Sequence, residues 1–106
     1  MTDFVRILDE GELPLGTNKA VEAFGQSILL CRTAEGVFAV ANECTHQKMP
    51  LEGGRMRGCY LFCPVHGVRF DLRSGAPTGN LTTTALQCFN ARICDGGIEL
   101  AQTKPD

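Results

Sequence analysis

Tryptophan is absent from the 106-residue chain, tyrosine occurs once and histidine twice. No apolar run is long enough to cross a bilayer, so no membrane span is expected. A basic excess is also lacking. The formal net charge is −2, and neither a Lys/Arg run nor an interleaving of aromatic and basic residues occurs, which argues against nucleic acid as a partner. The first residues, MTDFVRILDEGELPLG, have no basic start, no apolar stretch of signal length and no twin arginine. A soluble cytoplasmic protein without a membrane partner is therefore expected. With no export signal, the six cysteines are not expected to form a disulfide framework, and metal binding is the better use for thiols. The length suits one domain, residues 1–106.

Twelve Gly and five Pro point to a turn-rich chain, and to an all-β rather than a helical one. Short β-type runs at 4–8, 27–32, 36–42, 59–62, 68–72, 85–93 and 97–101 alternate with turn signals and predict a small antiparallel architecture. Asp95-Gly96-Gly97 predicts a hairpin turn, since glycine tolerates positive φ, and residues 32–36 predict a similar connection. A short helical period is conceivable at 18–24. Most of the turn residues fall between 43 and 79, among them Pro50, Gly53, Gly54, Gly58, Pro64, Gly67, Gly75, Pro77 and Gly79. This density predicts a loop-built subdomain at about 43–79, carried on a β base of about 1–42 and 80–106.

Both histidines lie in that segment, each beside a cysteine: Cys44-Thr45-His46 and Cys63-Pro64-Val65-His66. In extended backbone, residues two apart point the same way, so Cys44 and His46 can face one site. Pro64 presets the φ of a tight turn that brings Cys63 and His66 together. Each loop then offers one thiolate and one imidazole. Incidental Cys-His neighbours would require both histidines to fall by chance into matching pairs. A structural zinc site would accept the ligand types, but paired zinc ligands are usually separated by two to four residues, wider than Cys44-x-His46. The third reading is a [2Fe–2S] cluster with both Cys on one iron and both His on the other.

The pattern C-x-H, sixteen residues, C-x-x-H, in the forms CTH and CPVHG, resembles the Rieske iron–sulfur family. The stretches ECTHQKMPLEGG, CPVHGVRFDLRSGAP and ALQCFNARICDGGIELA extend the likeness to the soluble Rieske-type ferredoxins of bacterial ring-hydroxylating dioxygenase systems. The resemblance implies a fold of three small antiparallel sheets, with one [2Fe–2S] cluster per chain held by Cys44, His46, Cys63 and His66. It implies a third, Pro-containing loop near Gly75-Ala76-Pro77, and Leu51 and Pro64 packed over the cluster. It also implies a monomeric one-electron carrier between a flavin-containing, NAD(P)H-dependent ferredoxin reductase and a terminal ring-hydroxylating oxygenase. The small Rieske-like subunit of an assimilatory nitrite reductase is the alternative. No catalytic residue is expected. A mononuclear oxygenase iron needs two more histidines, and none remains.

Charge arithmetic explains the use of histidine: two ferric ions, two sulfides and two thiolates give a neutral oxidised core, whereas four thiolates would give −2. Rieske centres accordingly span roughly −150 to +300 mV, against about −400 mV for plant-type ferredoxins. High-potential members carry an extra Cys in each loop and nearby Ser and Tyr hydroxyls; the corresponding positions here look like Met49, Val65, Val68 and Phe70. A potential at the low end follows. Cys31, Cys59, Cys88 and Cys94 are expected to be small apolar residues rather than ligands. From Cys44 to Gly75, five cationic side chains face two carboxylates, a balance of +3 that leaves −5 for the rest. A transient partner with an acidic docking site would suit that asymmetry.

Overall fold

The computed structural model describes residues 4–45, 49–64, 67–79 and 82–102. Ten strands and one short 3-10 helix, Glu10–Glu12, make up its regular structure: β1 Val5–Asp9, β2 Asn18–Ala23, β3 Gln26–Thr33, β4 Gly36–Ala41, β5 Met56–Arg57, β6 Tyr60–Phe62, β7 Arg69–Asp71, β8 Pro77–Thr78, β9 Cys88–Cys94 and β10 Gly97–Ala101. All pairings are antiparallel. They form three ladders, β1-β10-β9, β2-β3-β4 and β5-β6-β7-β8, and the first two join where Ala39 and Val40 of β4 pair with Phe89 and Cys88 of β9. The expected three small sheets are thus present, two of them continuous as a six-stranded sheet.

Tight hairpins set the register. Asp95 and Gly96, both at positive φ, connect β9 to β10 with Cys94 opposite Gly97, as the Asp-Gly-Gly signal predicts. Phe24 and Gly25, also at positive φ, connect β2 to β3 with Ala23 opposite Gln26. The helical period at 18–24 is therefore a strand. Its residues alternate across β3, with Ala20 packed on one core and Val21 and Ala23 on another. Six residues are too few to stabilise a helix, whereas pairing with β3 satisfies the backbone along the whole segment.

Strand β3 divides the molecule. Ile28 and Leu30 join Leu13, Val37, Ala39, Phe89, Ile98 and Leu100 in the base core, while Leu29 and Cys31 face the other way. On that second side Leu29, Cys31 and Val40 meet Leu61, Phe70 and Leu72 from the small β5–β8 sheet. A strand buried on both faces reads as a continuous apolar run, which is why SILLC lacks alternation. The site sits on this second core.

Candidate metal centre

Cys44 and Cys63 reach the same buried cluster by different routes. Cys44 lies three residues beyond the end of β4, and Cys63 directly follows β6. Both side chains are buried, at 0 % and 3 % exposure, among Leu51, Leu61, Val68, Phe70 and Leu86. None of the six cysteines is in a disulfide.

Each cysteine closes its loop in the same way. The Cys44 N–H donates to the Met49 carbonyl at 2.7 Å, and the Cys63 N–H donates to the Val68 carbonyl at 2.8 Å. Both bonds span five residues. The Gly67 N–H returns to the Cys63 carbonyl at 2.9 Å, with Gly67 at φ +70, a turn that glycine adopts without strain. His46 and His66 fall inside these two closed loops in sequence and lie outside the described residues. The arrangement places the two sequence-predicted thiols in one apolar core, each at the root of a loop closed in the same way. Two buried thiols without a disulfide, walled by aliphatic and aromatic carbon, fit a cluster whose sulfurs are shielded from water and whose remaining ligands come from the loop interiors.

Polar side chains that sequence reasoning missed hold the first loop to the base. The Asn42 carboxamide oxygen accepts from the N–H groups of Leu51, at 2.8 Å, and Glu52, at 3.0 Å, while its nitrogen donates to Ser27 Oγ at 3.1 Å. Asn18 of β2 accepts from the Gly53 N–H and donates to the Gly54 carbonyl, both at 2.9 Å. Glu52 accepts from the Ala20 N–H at 2.8 Å. Segment 51–54 is thereby pinned to the base on two sides.

Asn42→Ala should cost about 2–3 kcal/mol, because the buried Leu51 N–H would lose its partner, and should hasten loss of iron from the loaded protein. Asn42→Asp, which keeps the acceptor, should cost less. Urea denaturation and iron release to a chelator measure the two effects, and equal behaviour of both variants would remove Asn42 from the account.

The third loop differs in part from its expected position. Gly75 and Ala76 lead into β8, where Pro77 pairs with Phe70. Residues farther along touch the first loop: the Thr45 hydroxyl donates to the Thr84 carbonyl at 2.7 Å and lies 3.2 Å from the Thr82 hydroxyl. Leu51 is fully buried against both thiols' cluster, as expected for a cover, whereas Pro64 is exposed on the outside of its turn. Of the positions matched to high-potential members, Val68 and Phe70 are buried beside the thiols, Met49 is 42 % exposed, and Val65 lies outside the described residues.

The other cysteines lie outside the two loops, although Cys31 belongs to the same buried core and Cys88 packs against it. Burial pushes the Cys31 thiol up to about 12, so it stays protonated inside the core. Burial and a hydrogen bond to Glu35 Oε2, at 2.9 Å, raise Cys59 as well. Cys88 and Cys94 are half-buried, and Cys94 sits at the β9–β10 turn beside Asp95.

An all-β frame in which two cysteine loops of the same closure lead from one apolar core suits a domain that holds a metal or iron–sulfur centre. The family model "Rieske [2Fe-2S] domain" matches residues 3–90, and the chain belongs to that family; its cofactor is a Rieske-type [2Fe–2S] cluster. The anthranilate 1,2-dioxygenase ferredoxin subunit of Burkholderia cepacia is 30% identical over 82 residues, covering 76% of each chain. The ferredoxin of carbazole 1,9a-dioxygenase from Nocardioides aromaticivorans IC177 superposes with a TM-score of 0.87 at 26% identity, covering 94% of this chain and 98% of that one. Two further structures share the fold. One is a chain from a complex of reduced oxygenase and oxidized ferredoxin in carbazole 1,9a-dioxygenase, at TM-score 0.86, 24% identity and 97% and 96% coverage. The other is the NADH-dependent nitrite reductase small subunit from Mycobacterium tuberculosis, at TM-score 0.86, 18% identity and 99% coverage of each.

Proposed function

We propose that this chain is a one-electron carrier, a Rieske-type ferredoxin, taking electrons from an NAD(P)H-dependent flavoprotein reductase and delivering them to a terminal aromatic-ring dioxygenase. The observation that carries the reading is the pair of buried thiols under two loops of the same closure, each with a histidine inside it. Cys44, His46, Cys63 and His66 are the ligands in this reading, one cluster per chain. When bound, the cluster accepts and returns a single electron.

The protein's share of the work is to hold the ligands still and keep water from the sulfurs. The Asn42 and Asn18 bonds fix the first loop, the Cys63–Val68 closure fixes the second, and Leu51, Val68 and Phe70 supply the dry wall. Residues 43–79 act as the cluster-carrying unit and 1–42 with 80–106 as its base. No helix among the described residues is long and apolar enough to cross a membrane. The ferredoxin relatives favour a dioxygenase system over a nitrite reductase subunit, because the nitrite reductase likeness is one of fold alone.

The wall also predicts the potential. Val68 and Phe70 offer the sulfurs no hydroxyl, so nothing from these positions stabilises the added negative charge. A redox titration of the loaded protein should give a midpoint near the low end of the Rieske range, about −150 mV. A midpoint well above 0 mV would contradict this reading of the wall.

A further inference from the structure

Unbalanced positive charge collects on the outer face of the small sheet. Of the seven arginines, Arg6, Arg32, Arg73 and Arg92 each meet a carboxylate of the chain: Asp9, Glu10, Asp71 and Glu99. Arg55, Arg57 and Arg69 meet none among the described residues. Strand register sets the last two on one surface. Arg57 pairs with Tyr60 and Arg69 with Phe62, while the alternate residues Met56, Leu61 and Phe70 turn into the core.

Two of the three guanidinium groups lie on aromatic rings. Arg55 is 5.6 Å from the Phe62 centroid and Arg69 is 4.7 Å from that of Tyr60, with the Arg69 Nε donating to Thr78 Oγ1 at 2.9 Å. Stacking fixes a guanidinium plane and leaves its N–H edge to receive a carboxylate. A shallow concavity of about 450 Å³ lies beside them, lined by Arg57, Tyr60, Phe62, Arg69 and Arg73 with Glu35 at one side. Phe62 adjoins Cys63, so this face flanks the second thiol loop.

We propose that this face is a docking surface for a carboxylate-rich protein partner, with Arg55, Arg57 and Arg69 as its charged contacts and Tyr60 and Phe62 as apolar anchors. Arginine and aromatic residues together are the composition of interface hot spots. Outside residues 44–75 the chain carries −5, which repels an extended polyanion such as nucleic acid but still admits a compact acidic patch matched to this face. The proposal rests on the electron-carrier reading, which supplies a protein partner that must come to rest beside a thiol loop.

The test uses the cluster-loaded protein and two variants of equal charge change, R55Q/R69Q and the control R6Q/R92Q. The probe is a fluorescein-labelled tetraglutamate peptide, short enough to lie within this face, followed by anisotropy at about 10 mM ionic strength, where charges are felt over about 30 Å. Parent and control should bind alike, and R55Q/R69Q should bind about ten-fold or more weakly. Equal loss in both variants, or no binding by the parent, would overturn the proposal. Should R55Q/R69Q lose its fold, judged by circular dichroism, R57Q alone should show the same direction of change, and binding equal to the parent's would overturn the proposal equally. Reversible one-electron reduction of the same sample judges the carrier reading separately. A parent that accepts the electron while both variants bind equally loses only the docking face, whereas one that cannot be reduced loses the carrier function.

Discussion

Cys63→Ala and His66→Ala proteins are expected to purify without iron or acid-labile sulfide, colourless where the parent absorbs in the visible. The reason lies in how few substitutes the chain has. No other histidine exists beyond His46, and the four remaining thiols lie outside the two loops: Cys31 is held protonated in the core, Cys59 is hydrogen-bonded to Glu35, Cys88 opens β9 half-buried against the core, and Cys94 sits at the β9–β10 turn. Metal affinity that requires a folded site is also folding free energy, so both variants should melt at lower temperature than the loaded parent. Cys94→Ser is the control and should retain a full complement of iron. Iron and sulfide analysis of the three proteins decides the matter, and an iron-replete His66→Ala protein would remove that histidine from the ligand set.

The second large effect is expected from one methyl group at Gly54. A Cβ there would run into the Phe62 carbonyl oxygen and stand 2.9 Å from that of Leu51, both of them backbone atoms that cannot swing aside. Gly54 is the point where the first loop crosses beneath β6, with its N–H bonded to the Leu51 carbonyl and its own carbonyl held by Asn18. Relieving the overlap means prising the loop from the strand that leads to Cys63. Gly54→Ala should therefore cost about 3 kcal/mol, or roughly 15 °C in melting temperature for a domain of this size. Gly11→Ala, where a Cβ meets nothing, should change little. Thermal melts that place the two variants together would show that the crossing is looser than described.

The chemistry of the site was legible before the architecture that holds it. The proposed ligand pairs, Cys44-x-His46 and Cys63-x-x-His66, stand out because residue type and spacing are local features, written within a few residues. The longer strands were legible for a similar reason, since β-branched and aromatic runs between turn residues announce themselves. Strand β2 was not, because Asn18–Ala23 gains its stability from pairing with β3 across a turn whose first residue, Phe24, is an unusual choice for positive φ. Two-residue strands such as β5 and β8 leave no pattern to find.

The Asn42 and Asn18 clamps were invisible for another reason. Asparagine near a strand end ordinarily reads as a turn residue, and Asn18 finds its partner thirty-six positions away. Charge was only half legible. The excess of cations in 44–75 is plain from composition, but that Arg57 and Arg69 share a face, and that other arginines are neutralised at home, depends on register and contacts.

Electron paramagnetic resonance of the dithionite-reduced protein, with iron and acid-labile sulfide measured on the same sample, tests the central claim most directly. A rhombic signal of low average g, from a centre with two irons and two sulfides per chain, is the result predicted for one cluster held by two cysteines and two histidines. An EPR-silent sample rich in zinc would contradict it, and the electron-transfer function would fall with the cluster.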